Sequence, residues 1–236
     1  MTPSATIIAT HQADSEDMRI SEPTLVVDGS SPSTFVGLLA ARGEWLARVS
    51  RKVAPLEGLF PMVETALHSA ECKLSNVNGF IYCEGPGSVL GLRICAMAIQ
   101  TWGYLSKPKA EYFHYNSLEL TAALIVLDET ELTRALLISD WKKDTWHSIE
   151  INQGNVGTIT SINDQTVREW NEGPLFYLPQ RKGWQRAPAN AITLEYSPHR
   201  LPEATHLLRA TKTIELYASN MSVFQKWVPQ HHRAKP

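Results

Sequence analysis

The chain has 236 residues, 22 Lys and Arg against 24 Asp and Glu, and 43% hydrophobic residues. That length suits one large or two small domains, and the composition excludes a disordered chain, a collagen-like fibre and a disulfide-packed mini-protein. A formal charge of −2 argues against clinging to polyanions by charge alone, and no apolar run reaches the ~18 residues of a membrane helix.

Residues 1–23 read as a disordered extension with neither a signal nor a transit peptide; their charges are Asp14, Glu16, Asp17 and Glu22 against Arg19. Three β-rich runs follow at 24–28, 34–40 and 45–50, separated by turn residues. Residues 55–71 place Leu56, Leu59, Phe60, Val63 and Leu67 at helical spacing. Residues 78–84 are apolar at their centre and read as a strand buried on both faces. Gly85-Pro86-Gly87-Ser88 then punctuates, and a helix runs from about Ser88 to Ser106.

Three strands, helix, strand, helix is the order of a ribonuclease-H-like α/β unit. Residues 134–140 repeat the opening, an apolar strand ending on an acid, and a turn leads into a strand over 145–151. The recurrence predicts an internal duplication, with subdomains 24–108 and 109–236. Weaker signals put strands near 156–162 and 176–178 and a helix over 204–218. The last stretch is basic through Lys226, Arg233 and Lys235; His231 and His232 lack a third ligand nearby and read as surface. Cys72, Cys83 and Cys95 are odd in number and show no CxxC spacing, which points to a reducing cytoplasm and to no zinc site.

The loop Gly85 to Arg93 has the parts of an anion seat. Gly85 and Gly87 allow close approach, Ser88 can cap the helix, its first-turn N–H groups favour negative charge, and Arg93 adds a full charge. It matches neither a Walker motif nor GxGxxG. Asp28 and Asp140, both at strand ends, are the places where kinases of related architecture hold magnesium and phosphates.

The stretch NGFIYCEGPGSVLGLRICAMAIQTWGYLSKP resembles the signature region of the TsaB (YeaZ) family. LVVDGSSPSTFVGLL is similar to that family's opening strand, LLISDWKKDTWHSIEI to its second-half hairpin, and SNMSVFQKWVPQHHRA to its tail. Gly29-Ser30, Val89-Leu90 and Trp141-Lys142 depart from the usual Thr-Ser, Phe-Thr and Ala-Arg. The resemblance implies a duplicated actin-like (ASKHA) fold. It also implies a non-catalytic, cytoplasmic subunit without cofactor or metal, partnering TsaD in threonylcarbamoyl transfer to the adenosine beside the anticodon of tRNA. A TsaE-like ATPase, or a second copy on the same helices, are further partners it implies, with tRNA met indirectly and no membrane. Asp28 and Asp140 are then vestigial acids. The rival reading is an ATP-dependent small-molecule kinase of the same fold; a peptidase has no supporting constellation.

Independently of the resemblance, apolar residues on the helix after Ser88 cover nearly its whole circumference, where a surface helix shows one stripe. One face must lie on the sheet and the other needs a second cover. Leu59, Phe60, Met62, Val63, Ile94, Met97, Ala98 and Trp102 are therefore the expected partner interface, and Gly85, Gly87, Ser88 and Arg93 the expected anion-binding residues.

Overall fold

The structure is a computed structural model that describes residues 23–105, 110–180 and 186–217. The expected extension and basic tail lie outside the described residues, apart from Pro23 and the stretch up to Tyr217.

Twelve strands form two mixed sheets. In the first, β1 (Thr24–Asp28), β2 (Thr34–Leu39) and β3 (Trp45–Arg51) make an antiparallel meander, and β4 (Gly79–Gly85) and β5 (Glu111–Asn116) add on parallel to β1. β12 (Arg209–Thr211) closes the far edge, giving the order β12-β5-β4-β1-β2-β3. In the second sheet β6 (Arg134–Lys142) pairs antiparallel with β7 (Thr145–Asn152) and parallel with β10 (Leu175–Leu178). β8 (Asn155–Val156), β9 (Thr160–Asn163) and β11 (Ile192–Thr193) are short edge pieces. β10-β6-β7 thus repeats the arrangement of β4-β1-β2, and the chain is a duplicated ribonuclease-H-like α/β fold.

Alternation along the strands feeds a separate core on each side of the first sheet. Leu25, Val27, Val36, Leu38, Phe80 and Tyr82 face α1 (Pro55–Ser69) and α2 (Val89–Leu105). Val26, Phe35, Ile81, Cys83, Phe113 and Tyr115 face α3 (Ser117–Asp128) and the 3₁₀ segment Pro198–Leu207. This is the period of two expected of strands with both faces covered; Phe80, Ile81, Tyr82 and Cys83 are each 0–1% exposed.

The helix α3 is the hinge of the architecture. Its Leu120, Ala123 and Leu124 enter the core of the first sheet, while Leu118, Ala122 and Ile125 enter the core of the second with Leu137, Ile149 and Phe176. Asn116 caps it, accepting from the amides of Leu118 and Glu119 at 3.0 and 3.4 Å, a role that short polar side chains fill well. On the outer side of the second sheet, Val167 from the single-turn α4 (Asp164–Arg168) packs on Trp146, Leu136 and Tyr177.

Two expectations differ from the structure. The division at 108/109 does not coincide with the sheets, because β5 and β12 both belong to the first one. A helix over 204–218 is absent among the described residues: the 3₁₀ segment ends at Leu207, β12 follows, and 214–217 runs as a strap along β4. The strap's backbone is held by β4, with Tyr82 Oη donating to the Glu215 carbonyl and accepting from its N–H, both at 3.0 Å, and Tyr217 N donating to the Glu84 carbonyl at 2.9 Å. Sequence pattern missed β5 and α3 altogether. Among the described residues, no helix is long and apolar enough to cross a membrane.

Candidate functional site

Ser88 caps α2 as expected: its hydroxyl accepts from Gly91 N at 3.4 Å. The loop does not stand open toward a ligand, however. Ser88 N donates to the Ser30 carbonyl at 2.8 Å. Added Cβ atoms at Gly87 and Gly91 would run into the backbones of Ser30 and Gly29 respectively. The glycines thus serve a close approach between two loops, and the oxygens facing the start of α2 are carbonyl acceptors, which repel an anion. Gly87 is therefore a packing residue, Gly85 holds a positive φ of 117°, and Arg93 is exposed on α2. Two of the donors that the anion-binding expectation relied on, the N–H groups of Ser88 and Gly91, are turned to the chain itself.

The strand-end acids are also consumed internally. Asp28 is 1% exposed; its Oδ1 accepts from Ser30 N at 2.7 Å, and its Oδ2 accepts from Tyr115 Oη at 2.6 Å and Tyr196 Oη at 2.7 Å. Burial, and then the Asp28 charge, push both tyrosine hydroxyls far above their ordinary range. Asp140, 5% exposed, accepts from Tyr177 Oη at 2.6 Å. Tyr196 was missed in the sequence because it sits in a stretch of weak pattern after β11; no periodic signal marks it. Ser30, Pro86, Leu178, Gln180 and Tyr196 border a small opening at these strand ends. Asp28 and Asp140 are structural acceptors rather than exposed ligands.

The expected partner face divides in two. Leu59, Met62, Val63, Ala98 and Trp102 are 0–6% exposed and belong to the core between the helices and the first sheet. That corrects their assignment: a side chain already packed against its own sheet has no surface left to present. Phe60 and Met97 remain 54% and 67% exposed, and Ile94 is half-buried. Beside them stand Leu56, Val89, Leu90, Tyr104 and Leu105, each exposed.

At 100° per residue, Leu90, Ile94, Met97, Thr101 and Tyr104 line one side of α2, opposite Leu92, Cys95, Ile99 and Trp102 on the sheet side. Phe60 bridges the helices, its ring edge-on to Trp102 at 5.8 Å. The helical period could have separated the two faces; what it could not show is which one meets the sheet. At the far end of α2, Gly103, Tyr104, Tyr112 and Ile214 border a groove of about 660 Å³.

Comparison with known proteins fits this arrangement. Residues 54–139 match the family model of TsaD, tRNA N6-adenosine threonylcarbamoyltransferase. That stretch holds α1, β4, α2, β5, α3 and the first two thirds of β6. A search of the curated proteins finds no match. Among solved structures, YeaZ from Pseudomonas aeruginosa superposes with a TM-score of 0.60 at 18% identity, covering 83% of this chain and 99% of YeaZ. A Pseudomonas aeruginosa protein described as uncharacterised and similar to the peptidase YeaZ gives 0.58 at 19% identity, with 83% and 98% covered. The chain therefore has the fold of YeaZ over nearly the whole of that protein, with its central third similar to the TsaD family.

Proposed function

We propose that this chain is a TsaB-like, non-catalytic subunit that docks a TsaD-like protein and thereby supports threonylcarbamoyl transfer to the adenosine beside the anticodon of tRNA. The observation that carries the reading is the exposed apolar face on α1 and α2: Leu56, Phe60, Leu90, Met97, Tyr104 and Leu105 are 54–88% exposed, on helices whose opposite sides are already buried. Contiguous exposed apolar surface of this kind marks an interaction site, and Met and aromatic residues are enriched in such surfaces. The fold shared with YeaZ and the match to the TsaD model support the choice of a TsaD-like partner; tRNA is then met through that partner. The kinase reading is disfavoured by the three internal donors on Asp28.

The test is co-purification of the full chain with the TsaD-like protein of its own host. Met97→Glu and Leu90→Glu place a charge in the face at residues that are 67% and 65% exposed. Each is expected to remain folded and to weaken association by at least tenfold. Unchanged association of both variants sinks the docking face, and failure of the unmodified chain to bind sinks the partner.

A further inference from the structure

The free edge of the first sheet carries charge that its own surroundings leave unanswered. β3 pairs with β2 on one side and, among the described residues, with no strand on the other, so part of its backbone N–H and C=O groups point outward. Its side chains alternate, Trp45, Ala47 and Val49 half-buried and Leu46, Arg48 and Ser50 exposed. Residues 42–52 hold Arg42, Arg48, Arg51 and Lys52 against a single acid, Glu44. Among the described residues, none of these four bases takes part in an ion pair. Like charges of this kind keep a second copy of the same edge away, and they suit an acidic strand.

An open groove at the start of β3 is bordered by Pro23, Ala40, Leu46, Ala70, Glu71 and Cys72, and Leu46 is 50% exposed there. Pro23 is where residues 1–22 join the described fold, and that segment mirrors the edge in charge, with Asp14, Glu16, Asp17 and Glu22 against Arg19. We propose that residues 14–22 turn back through this groove and lie antiparallel to β3, adding a strand to the sheet. Met18 and Ile20, on one side of an extended chain, then cover Leu46. Asp14, Glu16 and Asp17 meet Arg48, Arg51 and Lys52, and Arg19 is the base available to Glu71. The lengths agree: at ~3.3 Å per residue, Leu46 to Arg51 spans about 17 Å and Asp14 to Ile20 about 20 Å. The direction agrees as well, since β3 leads away from the groove and the segment leads into it.

Hydrogen exchange of the full chain, read by mass spectrometry over residues 14–20 and 45–51, tests this. Both stretches are expected to exchange at least tenfold more slowly than in the variant carrying Asp14→Lys, Glu16→Lys and Asp17→Lys. Adding Arg48→Glu, Arg51→Glu and Lys52→Glu to that variant should restore the protection, with β4 unchanged throughout as the control on folding. Salt of about 0.5 M, which screens exposed charges, should release both stretches in the unmodified chain. Alkylation by iodoacetamide gives a second reading, because Cys72 borders the groove while Cys83 and Cys95 are buried; Cys72 should react faster in the lysine variant. Equal exchange in the unmodified chain and the lysine variant overturns the proposal. Protection of β3 that fades on dilution assigns the edge to a second copy, and protection that needs the TsaD-like protein assigns it to that partner; either result also overturns it.

Discussion

A carboxylate at the end of a β-strand reads as a ligand for metal or phosphate, yet Asp28 accepts three hydrogen bonds from its own chain. Removing one donor leaves the other bonds in place but weakens a buried charge. Tyr196→Phe is expected to cost about 1.5–3 kcal/mol, the range for hydrogen bonds to charged groups, measured by urea unfolding; a loss below ~0.5 kcal/mol would contradict the network. His147 supplies a second test. It is 4% exposed between Trp141 and Tyr217, and burial pushes its pKa down to about 4.

Because the folded form of His147 holds its proton less tightly than the unfolded form, stability is complete above the ordinary histidine value near 6.5. It is lost as pH falls from there toward 4. The loss is up to about 3 kcal/mol on the scale of 1.36 kcal/mol per pKa unit. Replacing His147 with Gln should flatten the unfolding midpoint between pH 6.5 and 4, where the unmodified chain slopes. The acid at Asp28 and the imidazole at His147 were both visible in the sequence. Their partners were not, since Tyr115, Tyr196 and Tyr217 come from segments 87, 168 and 70 positions away.

At the scale of elements, α2 shows how far pattern reaches. Its apolar residues on opposite sides were legible from the sequence, and so was the need for two covers. Both sides carry large apolar residues, so it is packing that reveals that Trp102 lies on Phe80 while Met97 faces out. The two roles separate by stability: Trp102→Ala should cost ~3–5 kcal/mol as a core truncation, and Met97→Ala should stay within about 0.5 kcal/mol as a surface change. Equal effects in denaturant unfolding would undo the division of the helix. The element α3 escaped the sequence for the opposite reason. Being buried between two sheets, it has apolar or small residues all round and shows no stripe. β5 escaped because Glu111, His114 and Asn116 interrupt its apolar alternation, and these residues serve the strand's ends and neighbours: His114 Nδ1 lies 2.8 Å from Glu84 Oε2.

For the whole molecule, the shared helix decides cooperativity. Each half contributes to packing around α3, so neither core is complete without it. Unfolding followed by tryptophan fluorescence and by far-ultraviolet circular dichroism should therefore coincide in one transition. Two separated transitions would mean that the halves are independent domains.

The sequence by itself determined the repeated strand-acid-turn-strand unit, the first three strands, α1, β4 and α2, because these follow local periodicity and turn chemistry. It also determined that α2 carries more apolar surface than one sheet can cover. Tertiary structure alone decided which side of α2 is free, that the Gly85–Ser88 loop is filled by the backbone of Gly29 and Ser30, and that Asp28 is satisfied from within. Those outcomes depend on contacts between segments distant in the chain, and no local pattern encodes which groups will meet.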